Sequence, residues 1–150
     1  MLTLSGVEQV KEQVGQELGV SEWLEISQER VDQFADATGD HQFIHVDVEK
    51  AKQTPFGGTI AHGFLTLALY PGLMADVVSY EGFAFALNYG LNRVRFPAPM
   101  PTGKRVRAQA RLMAAEDING GIQVTTEYTF ECEGAEKPVC VAEALVRFYT

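Results

Sequence analysis

Apolar positions follow two different periods along the chain, and the change falls near Tyr80. Val7, Val10 and Val14 recur at helical spacing, with Ser5 in an N-cap position and Gly19 past the end, which predicts a helix over residues 5–18. Residues 27–38 repeat the pattern, with Val31, Phe34 and Ala35 on one face. The stretch 62–78, HGFLTLALYPGLMADVV, is apolar on nearly every side, and such a helix is expected only where protein surrounds it. Pro71 and Gly72 interrupt it and predict a kink or an early end near Tyr70. Beyond Tyr80 the period is two. Val106, Ala108, Ala110 and Leu112 alternate with Arg105, Arg107, Gln109 and Arg111, and Ile122, Val124, Tyr128 and Phe130 alternate with Gln123, Thr125, Glu127 and Thr129. These are long antiparallel strands with one face inward. Asn119-Gly120-Gly121 supplies the turn between them, and residues 140–149 read as a last strand.

Two short helices, one very apolar helix and then long strands predict an α+β domain in which an antiparallel sheet wraps around a central helix, an order that fits the hotdog fold. No repeat, low-complexity tract or Pro/Gly/Ser linker divides the chain, so residues 1–150 are expected to form a single domain. One wrapped sheet leaves an edge strand uncovered, and pairing two copies edge to edge is the natural remedy; at least a homodimer is expected.

At 150 residues, 46% hydrophobic and 21% charged, the chain can bury a core without disulfides or metals. The first residues, MLTLSGVEQVKEQ, lack the basic and apolar segments of a secretory leader, and no stretch reaches the ~20 apolar residues of a membrane span, so a cytoplasmic location and no membrane partner are expected. Cys132 and Cys140 lie in alternating stretches and read as a reduced, buried pair. The net charge of −8 argues against nucleic acid, whose binders neutralise phosphates with surplus Lys and Arg. The distribution adds something: residues 82–115 contain no Asp or Glu, yet hold six of the twelve basic residues. Arg93, Arg95, Lys104, Arg105, Arg107 and Arg111 form a basic band that suits a small polyanionic ligand or, equally, a solvated strand face with compensating acids elsewhere.

Groups that can move protons concentrate between the second helix and the central one: Asp40, His41, His45 and Asp47. A turn after Gly39 can bring Asp40 and His45 to one spot. Water addition needs such a pair, because one group takes a proton from water while another delivers one to carbon. Asp40 alone would also serve as a turn cap. His41 and His45 have the spacing of metal ligands on a helix, but Gly39 and the missing helical period weaken that reading, and no metal is expected. Asp47 before Val48-Glu49-Lys50-Ala51 reads as a helix N-cap. Gly57-Gly58-Thr59-Ile60-Ala61-His62-Gly63-Phe64 opens onto the apolar helix, where unpaired N–H groups can hold an oxygen that gains charge, and Gly63 would let a substrate approach its backbone.

These residues carry a resemblance. Phe34-Ala35-Asp36-Ala37-Thr38-Gly39-Asp40, Ile44-His45-Val46-Asp47, Thr59-Ile60-Ala61-His62-Gly63-Phe64, Asn88-Tyr89-Gly90 and Val94-Arg95-Phe96-Pro97-Ala98-Pro99 together resemble the MaoC-like (R)-specific enoyl-CoA hydratases, above all the branch related to nodulation protein N. The resemblance implies a hotdog homodimer that hydrates trans-2-enoyl-CoA to (R)-3-hydroxyacyl-CoA with no metal or other cofactor, coenzyme A being part of the substrate. It places Asp40 and His45 as the catalytic pair and Gly63 as the residue whose N–H polarises the thioester carbonyl. The family's Asp-x-Asn-Pro-x-His motif is altered: Gln42 and Phe43 stand where Asn and Pro are usual. Gln42 keeps hydrogen-bonding capacity and is assigned to substrate binding. Arg93, Arg95, Lys104 and Arg105 become candidates for the CoA phosphates. Two other readings share the fold: a thioesterase using an Asp-activated water, and an acyl-CoA-binding module without catalysis.

Overall fold

A computed structural model describes all residues, 1–150. The sheet dominates it. Strands β1 (Leu2–Ser5), β2 (Glu17–Val20), β3 (Leu24–Glu25), β4 (Val78–Glu81), β5 (Phe85–Arg95), β6 (Arg105–Ile118), β7 (Gly121–Cys132) and β8 (Cys140–Tyr149) alternate with helices α1 (Gly6–Glu12), α2 (Gln28–Thr38), α3 (Phe43–Val46), α4 (Val48–Ala51), α5 (Gly63–Ala68) and α6 (Tyr70–Met74). The main sheet runs β2-β6-β7-β8-β5, with β3 also on β6, and β1 and β4 form a separate parallel pair. The alternation read from sequence is realised: Val106, Ala108, Ala110 and Leu112 of β6, and Ile122, Val124, Tyr128 and Phe130 of β7, are all buried. Ala142, Ala144 and Phe148 of β8 join them, and Leu65, Leu67, Leu73 and Met74 of α5 and α6 close the core from the concave side. This is the expected α+β hotdog arrangement. At the β6–β7 turn Gly120 has φ 84°, a region that penalises any side chain, and a Cβ at Gly121 would sit 1.9 Å from the Phe148 carbonyl oxygen.

Two helical expectations change. The first helix ends at Glu12 rather than at residue 18; residues 13–16 turn the chain into β2. Gly15 N–H donates to the Leu112 carbonyl at 2.7 Å and Leu112 N–H to the Gln16 carbonyl at 3.0 Å, so pairing with β6 overrides local helical spacing. Ser5 does not cap with its side chain; its N–H donates to the Gln9 side-chain oxygen instead. The apolar helix is broken at Leu69, where Pro71 begins a second segment, as its position predicts. It is not enclosed on every side: Phe64 is 70% exposed.

The ends of α2 and α4 are capped, the second as expected. Ser27 Oγ accepts from Arg30 N–H at 3.2 Å and Gly39, with φ 78°, ends α2; Asp47 caps α4 by accepting from Lys50 N–H at 3.0 Å. Cys132 and Cys140 are free and buried, and burial pushes the Cys140 thiol up to about 12. No helix is long and apolar enough to cross a membrane.

The basic band lies on the outward face of the sheet with acids interleaved. Arg105 and Arg107 pair across the strands with Glu133 and Glu131 and both stack over Trp23, while Arg93 stands opposite Glu143 in the β5–β8 register. Of the two readings of the band, the compensated strand face describes these arginines. The sheet ends in β5, whose Phe85, Leu87, Tyr89 and Leu91 are each about half exposed.

Candidate active site

The loop that follows Gly39 is organised by bonds to its own main chain. Asp40 N–H donates to Thr38 Oγ1, and the Asp40 carboxylate accepts from Gln42 N–H at 3.3 Å, which turns the chain into α3. Its side chain remains 54% exposed. One turn later His45 is buried, and its Nδ1 lies 2.6 Å from the Ile60 carbonyl oxygen. A carbonyl only accepts, so the proton sits on Nδ1 and the lone pair on Nε2.

The turn therefore does bring Asp40 and His45 together, but a third group joins them. Side-chain ligand atoms of Asp40, His45 and His62 lie within 4.8 Å of one another. His62 is 3% exposed and stacks on the His45 ring at 3.8 Å between centroids, with Phe34 beyond it. Its Nε2 reaches the Asp40 main-chain oxygen at 3.0 Å, so that nitrogen is the donor, and Nδ1 is left without a partner in the protein. His62 anchors the backbone of Asp40 while its ring backs that of His45. Read along the chain, His62 marks only the start of the apolar helix; the usable signal is a histidine set against an otherwise apolar run, in a chain with three histidines.

A cavity of about 330 Å³ opens beside this group, lined by His45, Gly63, Thr66, Phe96 and Met100 among others. Gly63 is the first residue of α5 and its N–H donates to no main-chain acceptor, as expected at a helix start. A Cβ on Gly63 would meet the Phe96 ring at 3.0 Å, so glycine here brings backbone and cavity wall close. A lone-pair nitrogen and an unpaired N–H at one cavity, with a carboxylate close to that imidazole, can move protons to and from a substrate and hold a developing oxyanion.

The remaining predicted residues are placed differently. Gln42 is exposed and engages Asp40 through its main-chain N–H. Arg93, Arg95, Lys104 and Arg105 do not line the His45 cavity; Arg93 and Arg95 border another depression with Glu127 and Glu143, and Arg105 is held by Glu133. His41 and His45 are not a ligand pair, since His41 points outward to Asp36 at 2.9 Å, a hydrogen bond that raises its pKa. As for a metal, Asp40, His45 and His62 have a suitable composition, but the His62 nitrogen that faces Asp40 is protonated and donating. That nitrogen is therefore not available to a cation, whereas His62 Nδ1 keeps its lone pair.

Similar proteins identify the family of the chain. The MaoC like domain matches residues 9–133. The 3-hydroxyacyl-thioester dehydratase Z of Mycobacterium tuberculosis is 53% identical over 149 residues, 99% of both chains. Nodulation protein N of Rhizobium leguminosarum bv. viciae is 47% identical over 136 residues, covering 89% of this chain and 84% of that one. The unliganded R-hydratase PhaJ1 of Pseudomonas aeruginosa superposes with a TM-score of 0.70 at 25% identity, over 91% of this chain and 81% of that one. With the family's domain spanning most of its length and relatives of this closeness, the chain belongs to the MaoC-like dehydratases, hydro-lyases of the hotdog fold.

Proposed function

We propose that this enzyme interconverts trans-2-enoyl-CoA and (R)-3-hydroxyacyl-CoA, with Asp40 and His45 as the acid/base pair and Gly63 N–H holding the thioester oxygen. The observation that carries the reading is the Nδ1–H bond from His45 to Ile60, which leaves Nε2 bare as a base beside the Asp40 carboxylate and the Gly63 cavity. Water adds through oxygen to C3 as the Asp40/His45 pair takes one of its protons. The electron pair of the double bond moves toward the thioester oxygen, where Gly63 N–H stabilises it, and the pair returns a proton to C2. The enzyme ends in the protonation state in which it began, so the same groups serve dehydration in reverse. No metal or other cofactor enters this scheme.

Support for an acyl thioester substrate comes from the relatives, one named for a 3-hydroxyacyl thioester and one structural neighbour named an R-hydratase. Gln42, exposed next to Asp40, contacts the substrate rather than the reacting atoms. Arg93, Arg95, Lys104 and Arg105 remain the candidates for the CoA phosphates, and the first three make no ion pair within the chain. The enzyme works in the cytoplasm as a homodimer joined along β5, which would cover Phe85, Leu87, Tyr89 and Leu91. Sedimentation giving a monomer would remove the dimer from this reading.

The activity test follows loss of the enoyl-thioester absorbance of crotonyl-CoA, with free thiol assayed in the same cuvette and Asp40→Asn run alongside. Absorbance loss without thiol, abolished in the variant, is the expected result. Thiol release would replace hydration with thioester cleavage, and product of the (S) configuration would overturn the stereochemical assignment.

A further inference from the structure

His45 depends on more than its bond to Ile60. Gln28, the first residue of α2, lies 17 positions earlier in sequence and reaches across to the same segment. Its side-chain nitrogen is 2.8 Å from the His45 main-chain oxygen and 2.9 Å from Asp32 Oδ1, and its side-chain oxygen is 2.6 Å from Thr59 Oγ1. The amide orientation follows from chemistry, since a carbonyl and a carboxylate only accept and both must face the NH₂. Both amide hydrogens and the amide oxygen are then used. Thr59, buried, donates its hydroxyl to Gln28 and immediately precedes Ile60. Ile60 in turn accepts from His45 Nδ1 and donates its N–H to the Ile44 carbonyl at 3.0 Å.

We propose that Gln28 is a positioning residue for His45: one amide clamps the His45 main chain and the Thr59–Ile60 segment, so holding the imidazole tautomer and the direction of Nε2. The Nδ1–H bond is made between two short pieces of chain, and Gln28 is the side chain that spans them from the helix side. Without the clamp the two pieces separate by small amounts, the Nδ1–H bond lengthens, and Nε2 leaves its line to the reacting carbon. Displacements near 1 Å are enough to lower turnover by about 100-fold while leaving binding in place. The inference rests on the hydration reading for its kinetic consequence, but its structural content stands apart from it.

Gln28→Met keeps side-chain length and removes every hydrogen bond. Gln28→Glu keeps an acceptor for Thr59 but sets a carboxylate against the His45 carbonyl and Asp32. Both variants should lower kcat for crotonyl-CoA hydration about 10- to 100-fold with KM nearly unchanged. In a His45→Ala background Gln28→Met should produce almost no further loss, because the residue it positions is gone. Nitrogen NMR of the histidine rings supplies a readout independent of turnover: His45 should be the Nδ1–H tautomer in the unaltered enzyme and a mixture of tautomers in Gln28→Met. Normal kcat in Gln28→Met, an equal loss in the His45→Ala background, or an unchanged His45 tautomer would each overturn the proposal. If the unaltered enzyme fails to hydrate enoyl thioesters, the hydration reading falls, and the ring tautomer still decides the role of Gln28.

Discussion

Strands β6, β7 and β8 and the loop segment 39–62 are stabilised in different ways. The strands are joined by long main-chain ladders, Val106↔Cys132 through Ile118↔Gly121 with one register shift between Leu112 and Ala114, and Gly121↔Tyr149 through Phe130↔Cys140, over an inward face of buried side chains. No single rung is indispensable. The segment 39–62 hangs on individual contacts: Asp40 on Gln42 N–H and His62, His45 on Ile60 and Gln28, and Thr59 on Gln28. A substitution in the sheet should therefore cost stability and spare chemistry, whereas one in the segment should cost chemistry and largely spare stability.

The widest separation is expected from Asp40→Asn. The carboxylate is half exposed, so melting should barely change, while turnover falls by about 10²- to 10⁴-fold; a large fall in melting temperature would break the contrast. On the other side, Phe130→Ala empties a fully buried position of β7 and should cost about 3–5 kcal/mol in urea unfolding, with kcat per folded molecule unchanged. Loss of turnover at full folding in that variant would show that the sheet also tunes the site.

Alkaline pH tests the sheet region without mutation. Burial pushes the Tyr80 hydroxyl from 10.0 up to about 12, and burial, then the neighbouring Tyr80 and Tyr70, pushes Tyr128 up as well. The folded protein holds these protons more tightly than the unfolded chain does. The stability they contribute is fully present below pH 10 and is lost as pH rises through about 12. The tyrosinate absorbance of Tyr80 and Tyr128, isolated by difference against Tyr80→Phe and Tyr128→Phe, should thus rise together with the loss of near-ultraviolet dichroism, and ionisation of these two well before unfolding would contradict the assignment. The smallest contrast between stability and chemistry is expected from His62→Phe, which keeps a ring against His45 but removes the donor to Asp40: about 1 kcal/mol of stability, with kcat falling far more than KM changes. Unaltered kcat would mean that Asp40 is held without His62.

The two regions also differ in how openly the sequence shows them. The strands of β6, β7 and β8 and the turn at Asn119-Gly120-Gly121 were legible, because period-two alternation is a local statement about which side chains face inward. Asp47 as a cap was legible for the same reason: a cap is a bond within four residues. The early end of α1 was not, since Gly15 and Gln16 answer to Leu112, a partner far along the chain. In the site, Asp40, His45 and Gly63 stood out by type and spacing. His62 and Gln28 did not, because their roles rest on contacts across 22 and 17 residues of sequence.

What the sequence by itself determined is the alternation of the strands, the break before Pro71, the Asp47 cap of α4, and a carboxylate and an imidazole five positions apart. Each follows from covalent geometry and near-neighbour bonding. Only the tertiary structure decided that the basic band faces acids across the sheet, that residues 13–18 leave the expected helix to reach β6, and that His62 rather than His41 completes the cluster. Those outcomes depend on which distant backbone atoms and side chains are brought within hydrogen-bonding distance, a property of the folded packing that no local pattern encodes.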